Sequence, residues 1–246
     1  MKTTIIGDDM QAVVVNLEQG EHIISEAGAM MYMKGGVHIN AELTGGIVGG
    51  IKRALTRESL FLVSYTAHER PGEIGIAAPY PGHITSVTLT GTSVICQRDA
   101  FLFAHGDIQT DVELSKRLGF GFFGGEGFIL QKISGTGEVF IHAGGNLLER
   151  ELAPDETIDI DTGCIVAMDD SVHYDIKSIG NIKTSLFAGE GIFVAHLKGP
   201  GKVWIQTLPF SRMAEKIASA IGTTQGESRG VAGVGGNILK DIISGR

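Results

Sequence analysis

The side chains able to do chemistry in this chain are few and dispersed. Its eight histidines stand at positions 22, 38, 68, 83, 105, 142, 173 and 196. No two fall at His-x-His or His-x-x-x-His, the intervals that put two imidazoles on one face of a strand or helix, and no His-Glu-x-x-His occurs. Spacing therefore supplies no metal-ligating set. The two cysteines, Cys96 and Cys164, lack Cys-x-x-Cys spacing and have no neighbours that mark a nucleophile, and no Gly-x-Ser-x-Gly elbow is present. Gly119-Phe-Gly-Phe-Phe-Gly124 satisfies the dinucleotide pattern. That pattern needs a strand before it and a helix after it, and here a short helical turn over Glu113–Leu118 is predicted before and a strand after. In Gly45-Gly-Ile-Val-Gly-Gly-Ile-Lys52, Ile51 takes the place where a phosphate loop needs lysine, and no Ser or Thr follows Lys52. Three carboxylates remain. Glu58, Glu126 and Glu190 each open a copy of one motif, so a threefold arrangement would place them equivalently. They could share a cation, but the plainer role is to accept hydrogen bonds from the adjoining glycine turn or to pair with a basic neighbour. No catalytic residue, metal or cofactor is predicted, and the expectation is a protein that is not an enzyme.

Whatever these residues do, repeated sheet elements must position them. Gly125-Glu-Gly-Phe-Ile-Leu-Gln-Lys-Ile-Ser-Gly-Thr-Gly-Glu-Val-Phe-Ile141 matches Gly189-Glu-Gly-Ile-Phe-Val-Ala-His-Leu-Lys-Gly-Pro-Gly-Lys-Val-Trp-Ile205 at an offset of 64. Arg57–Tyr65 leading to Pro71–Ile76 fits the same pattern with about three extra residues at the centre. An upstream block aligns Leu89–Ala104 with Leu152–Ala167 without gaps, at an offset of 63, and an earlier copy over Leu17–Tyr32 puts Ile23 where Ile95 and Ile158 stand. Two blocks recurring in one order predict three modules, about 12–82, 83–145 and 146–209. Each downstream block is expected to be a hairpin, with Gly127–Ile133 as one arm, a turn at Gly135 and Gly137, and Glu138–His142 as the other. Imperfect alternation in Glu138–His142 predicts that both faces are covered. Ser211 is expected to cap a helix from Arg212 to Ile221, with Gly222 as its stop. The Gly-rich 223–246 segment is expected to be a flexible tail.

Composition narrows the function classes. A net charge of −8 gives no general attraction to phosphate backbones, so nucleic-acid binding is disfavoured. With two cysteines and no Asn-x-Ser/Thr acceptor, a reducing, cytoplasmic setting is expected. The first residues carry Asp8 and Asp9 and no export-type apolar run, and Ile74–Gln97, the longest stretch without Asp, Glu, Lys or Arg, is broken by prolines and glycines. No transmembrane helix is expected. Two apolar, Gly-rich connectors precede downstream blocks, one holding Ile47, Val48 and Ile51 and the other Phe120, Phe122 and Phe123. Threefold symmetry would bring them to one pole as a partner or lipid contact, unless they pack internally.

The run Lys52-Arg53 with Arg57-Glu58-Ser59-Leu60-Phe61, then Gly124-Gly125-Glu126-Gly127-Phe128 and Gly135-Thr136-Gly137, resembles the bacterial relatives of the mitochondrial "altered inheritance of mitochondria protein 24" family. The resemblance covers nearly the whole chain and is weakest in the tail. It implies a mainly β fold like that of the tryptophan RNA-binding attenuation protein, with tandem modules in one chain. It implies no residue roles, and the mitochondrial relative's association with inner-membrane organisation is its one functional hint. The preferred expectation is a non-enzymatic scaffold or interaction protein, cytoplasmic or peripheral to the inner membrane. It is expected to be a homo-oligomer, by preference a trimer, because open sheet edges need cover. A small-ligand or ion-binding protein using a cleft between modules comes second, and an enzyme of unrecognised type third.

Overall fold

The computed structural model describes residues 1–40, 62–113, 129–179 and 192–221. Two compact units make up the chain, Met1–Ser211 and Arg212–Arg246. Strands dominate: β1 (Lys2–Ile6), β2 (Ala12–Leu17), β3 (His22–Glu26), β4 (Met30–Asn40), β5 (Leu62–Ala77), β6 (Gly82–Gln97), β7 (Phe101–Glu113) and β8 (Leu130–Gly144) come first. They are followed by β9 (Leu147–Leu152), β10 (Thr157–Asp161), β11 (Ile165–Asp169), β12 (His173–Ile179), β13 (Ile192–Lys198) and β14 (Gly201–Gln206). One α-helix, α1 (Phe210–Ile221), is present among the described residues. It begins two residues before the expected start, so Ser211 lies inside its first turn. Pro209 directly precedes it, and proline's missing N–H is harmless at a helix start. Glu113 belongs to β7, and the rest of the helical turn expected over Glu113–Leu118 lies outside the described residues.

The downstream blocks are not hairpins. β8 is one strand, paired antiparallel with β6 from Gly144 opposite Gly82 to Leu130 opposite Gln97, and with β7 from Ile141 opposite Phe101 to Leu130 opposite Glu113. Gly135 and Gly137 do have positive φ, 131° and 158°, but they bend the strand instead of reversing it. The cause is close approach of backbones. A Cβ on Gly135 would strike the Asp107 carbonyl, and one on Gly106 would lie 2.5 Å from the Thr136 carbonyl oxygen. Only glycine admits that contact and that φ together. β5 is continuous in the same way, pairing with β3 up to Thr66 and with β2 from Gly72 onward. The last block splits into β13, between β10 and β12, and β14, between β9 and β11, and these two strands lie in different sheets.

The ladders also correct the gapless alignment of the upstream blocks. Leu89 lies opposite Gly137 and Leu152 opposite Gly201, so those leucines correspond. Beyond them Ser93 lies opposite Ser134 and Thr157 opposite Lys198, an offset of 64 and not 63. Three residues separate Leu89 from Ser93 and four separate Leu152 from Thr157. Ile158 therefore corresponds to Val94, and Asp159 to Ile95. One residue of slip exchanges the faces of a strand, which is why it matters.

Two cross-links tie the ladders together. β3 pairs with β7, Ile24 opposite Ala104 and Ser25 opposite Phe103, and the Ser25 hydroxyl donates to the Leu102 carbonyl at 3.0 Å. β6 pairs with β11, Val94, Ile95 and Cys96 facing Asp169, Met168 and Ala167. The apolar core follows the same joints. Leu102, Phe103 and Phe140 pack into the cluster of β2–β5, and Val166, Ala167 and Trp204 into that of β6–β8. Ile95 and Leu130 pack into the cluster of β9–β14. Phe103 stacks on Phe140 with ring centroids 4.2 Å apart. Val139 through Ala143 are all buried, as the imperfect alternation of that segment predicted.

Candidate functional site

Three strand segments sit in matching positions, and one of them is bare. Met30 faces Ile76, Phe101 faces Ile141 and Ile165 faces Ile205, and each is followed by the same one-residue register shift. After the shift Tyr32, Phe103 and Ala167 align, as do Met33, Ala104 and Met168. Phe101–Ala104 and Ile165–Met168 are at most 2% exposed, because β3 and β6 respectively cover their second edges. On β4, Met31 is 55% exposed, Tyr32 39% and Met33 40%. Among the described residues this half of β4 pairs with β5 alone. Its side chains are nonetheless ordered by contacts. The Tyr32 hydroxyl donates to the Glu73 carboxylate at 2.9 Å, and Lys34 meets the same carboxylate at 3.0 Å. The two bonds, Lys34 first, lower the Glu73 pKa and raise those of Lys34 and Tyr32. The Tyr32 ring lies over Gly75, where any side chain would collide with it.

A second grouping is polar and lies at the β3–β7 joint. Burial pushes the Glu26 carboxyl up to about 7, with repulsion from Asp99 adding to it and Arg98 opposing. Tyr80 is nearby; burial, then Asp99 and Glu26, raise its hydroxyl, which donates to the Asp99 carbonyl at 3.4 Å. Tyr80 packs edge-on against His142, 4.7 Å between centroids. His142 is buried, and desolvation, with His83 second, pushes it down to about 4, so the ring is neutral near pH 7. Gly82 leaves room for it: a Cβ there would sit 2.5 Å from His142 Nε2. Among the described residues the Glu26 carboxylate makes no hydrogen bond, so no relay from it to a nucleophile is formed. The thiol of Cys96, fully buried and pushed up to about 12 by desolvation, receives a hydrogen bond from Gln131 Nε2 at 3.3 Å. It is a packing residue. Gln206 ties the joint between β8 and β14, accepting from the Gly144 amide and donating to the Gly163 carbonyl, each at 2.8 Å.

Gln19, His38, His68 and Glu69 line an open surface depression. His38 and His68 meet edge-on, 5.5 Å between centroids, yet no group of three or more His, Cys, Asp or Glu able to hold a metal exists among the described residues. The predicted surface residues Ile47, Val48, Ile51, Phe120, Phe122 and Phe123, and the glutamates Glu58, Glu126 and Glu190, lie outside the described residues. The exposed strand was not singled out by sequence reasoning. Its signal was present: Met30-Met31-Tyr32-Met33 occupies the same slot as Phe101–Ala104 and Ile165–Met168, but a pattern of equally apolar residues does not say which copy lacks a neighbour.

These elements define a mainly β protein with one α-helix, near the C-terminus, among the described residues, and no described helix is long and apolar enough to cross a membrane. The chain belongs to the family described as mitochondrial biogenesis AIM24, whose family model matches residues 3–208. An uncharacterized protein of Streptococcus pyogenes serotype M6 is 25% identical over 219 residues, covering 86% of this chain and 87% of that protein. A crystal structure of a Streptococcus pyogenes protein superposes with a TM-score of 0.74 at 26% identity, covering 89% of this chain and 99% of the other.

Proposed function

We propose that this protein is a non-enzymatic scaffold whose three sheet modules, about 12–82, 83–145 and 146–209, carry an interaction surface in place of a reaction centre. The modular reading is supported by the recurring ladder, in which a downstream block lies between the upstream strands on one side and the strands that follow them on the other, as one strand in β5 and β8 and as two in β13 and β14. By its family resemblance the arrangement is like that of the tryptophan RNA-binding attenuation protein. The observation that carries the functional reading is the exposure of Met31, Tyr32 and Met33 where the matching residues of the other modules are sealed. Adjacent apolar side chains on an open strand mark a contact surface. The protein acts in the cytoplasm or peripherally at the inner membrane and needs no cofactor. The test is the doubly substituted Met31→Lys, Met33→Lys chain, checked for folding by circular dichroism. Loss of self-association in light scattering, or of sedimentation with anionic vesicles, supports the reading; a folded variant that matches wild type in both refutes it.

A further inference from the structure

Resting on that reading, we infer that the exposed half of β4 docks antiparallel on the edge of β10 away from β13 in a second copy of the chain, so that copies join through two different edges. The chain contains this joint twice already. In the first, β3 lies against β7, and in the second β6 lies against β11. The ladders identify the strands left over. β10 corresponds to β3 and to Ser93–Gln97 of β6, since Asp161 faces Val194 as Glu26 faces Leu62 and Gln97 faces Leu130. β4 corresponds to β7 and β11 by the shared register shift. Among the described residues β10 pairs with β13 alone, and no strand of β9–β14 pairs with any of β1–β5. Among the described residues, one chain therefore presents two different edges that match the strands of its internal joints.

The internal joints fix the register. Ile24 faces Ala104 and Ile95 faces Met168, so Asp159 should face Met33. Ser25 faces Phe103 and Cys96 faces Ala167, so Ile160 should face Tyr32. The polar groups agree with the placement. His105, the counterpart of Lys34, sets its Nδ1 2.9 Å from the His22 carbonyl oxygen, and the matching acceptor for Lys34 is the Thr157 carbonyl. In that register Lys34 would face Ile158 and share its side of the sheet with Glu156, while Asp159, 64% exposed and 2.6 Å from His196 Nδ1, would lie on the Met33 side. A contact of β4 with its own copy would leave β10 uncovered, whereas pairing β4 with β10 covers both edges.

Cross-linking tests this directly. Two chains of different tagged length, one with Met33→Cys and one with Asp159→Cys, both in a Cys164→Ser background, are mixed under mild oxidation. The expected product is the mixed disulfide, with little from either chain alone. Equal cross-linking of the Met33→Cys chain with itself, closure of a doubly substituted chain into a cross-linked monomer, or no cross-link in any mixture overturns the inference. In parallel, Asp159→Lys is expected to raise the self-dissociation constant about tenfold or more, and Met31→Lys with Met33→Lys about a hundredfold. If the methionine variant loses contacts while Asp159→Lys and the cross-link show nothing, the second copy is the wrong partner and the scaffold reading stands. If neither variant changes any contact, both fall.

Discussion

Replacing Glu26 by glutamine should make the protein more stable at alkaline pH and leave it unchanged in acid. The folded carboxyl titrates at about 7 against an ordinary value of 4.5, with burial as the largest cause. Between those values the native state holds a proton that the unfolded chain has released, so stability falls as pH rises through the window, and the loss is complete above 7. Each tenfold displacement is worth about 1.4 kcal/mol, which sets a ceiling of about 3 kcal/mol. Glu26 is only partly shielded from solvent and Arg98 stands beside it, so screening reduces the expected effect to about 1–2 kcal/mol. Glutamine keeps the shape and cannot ionise. Urea unfolding of both proteins at pH 4.5 and pH 8.5 measures the difference, with matched slopes required so that midpoints report stability. Near-equal stability at pH 4.5 and a gain for Glu26→Gln at pH 8.5 is the expected result. A gap that does not change with pH would refute the assigned titration, and a variant weaker at both pH values would mean that the carboxylate holds the joint.

His142 should act in the opposite sense: its folded value of about 4 lies below the ordinary 6.5, so the native state binds fewer protons there and wild type loses stability as pH falls from 6.5 towards 4. His142→Gln should flatten that acid limb, which unfolding midpoints at pH 4.5 and 7 would show. Gly82→Ala should destabilise by about 2 kcal/mol or more, since its Cβ would be driven onto the Ala143 carbonyl and the His142 ring, and a melting curve measures it. Ile133→Ala, at a fully buried site in the β6–β8 core, should cost about 2–5 kcal/mol in denaturant unfolding. A thiol reagent at pH 8 should label at most one cysteine in the native protein and both after unfolding, because Cys96 is sealed and its thiol is pushed up to about 12.

Strand content and the helix near the C-terminus were legible from apolar and β-branched runs bounded by glycine, and from Met213, Ala214 and Ile217 at helical spacing. The two-sided burial of Val139–Ala143 was also readable, since three consecutive apolar residues leave no polar face. What the sequence did not distinguish was a bend from a turn. Gly135 and Gly137 meet the φ requirement of either, and only the strands on both sides of β8 decide between them. The slip between Ile95 and Ile158 has a similar origin: one extra residue in Ala153–Glu156 left an isoleucine match intact while changing which face it occupied. Joint residues such as Glu26 and Tyr80 lie 54 positions apart and belong to no motif, so their shared environment arises from the β3–β7 pairing alone. Exposure of Met31 and Met33 depends on which strands pair with β4, among the described residues β5 alone, and no local pattern records that.

The strand order also constrains how the chain is made. β5 lies between partners that precede it, β8 between β6 and β7, and β13 and β14 between β9–β10 and β11–β12, so in each case the central strand is synthesised last. On the ribosome each group of outer strands must wait, with unpaired edges, until its centre emerges. Pairing then closes on both sides at once, and assembly advances in steps of a whole ladder instead of strand by strand. A truncation ahead of Ile192 would thus deprive β9 through β12 of their shared centre, even though every one of those four strands is intact. Nascent chains arrested with Ile192 not yet emerged and with Gln206 just emerged should differ sharply in protease resistance across residues 147–179, far more than the loss of as many residues from an outer strand would produce.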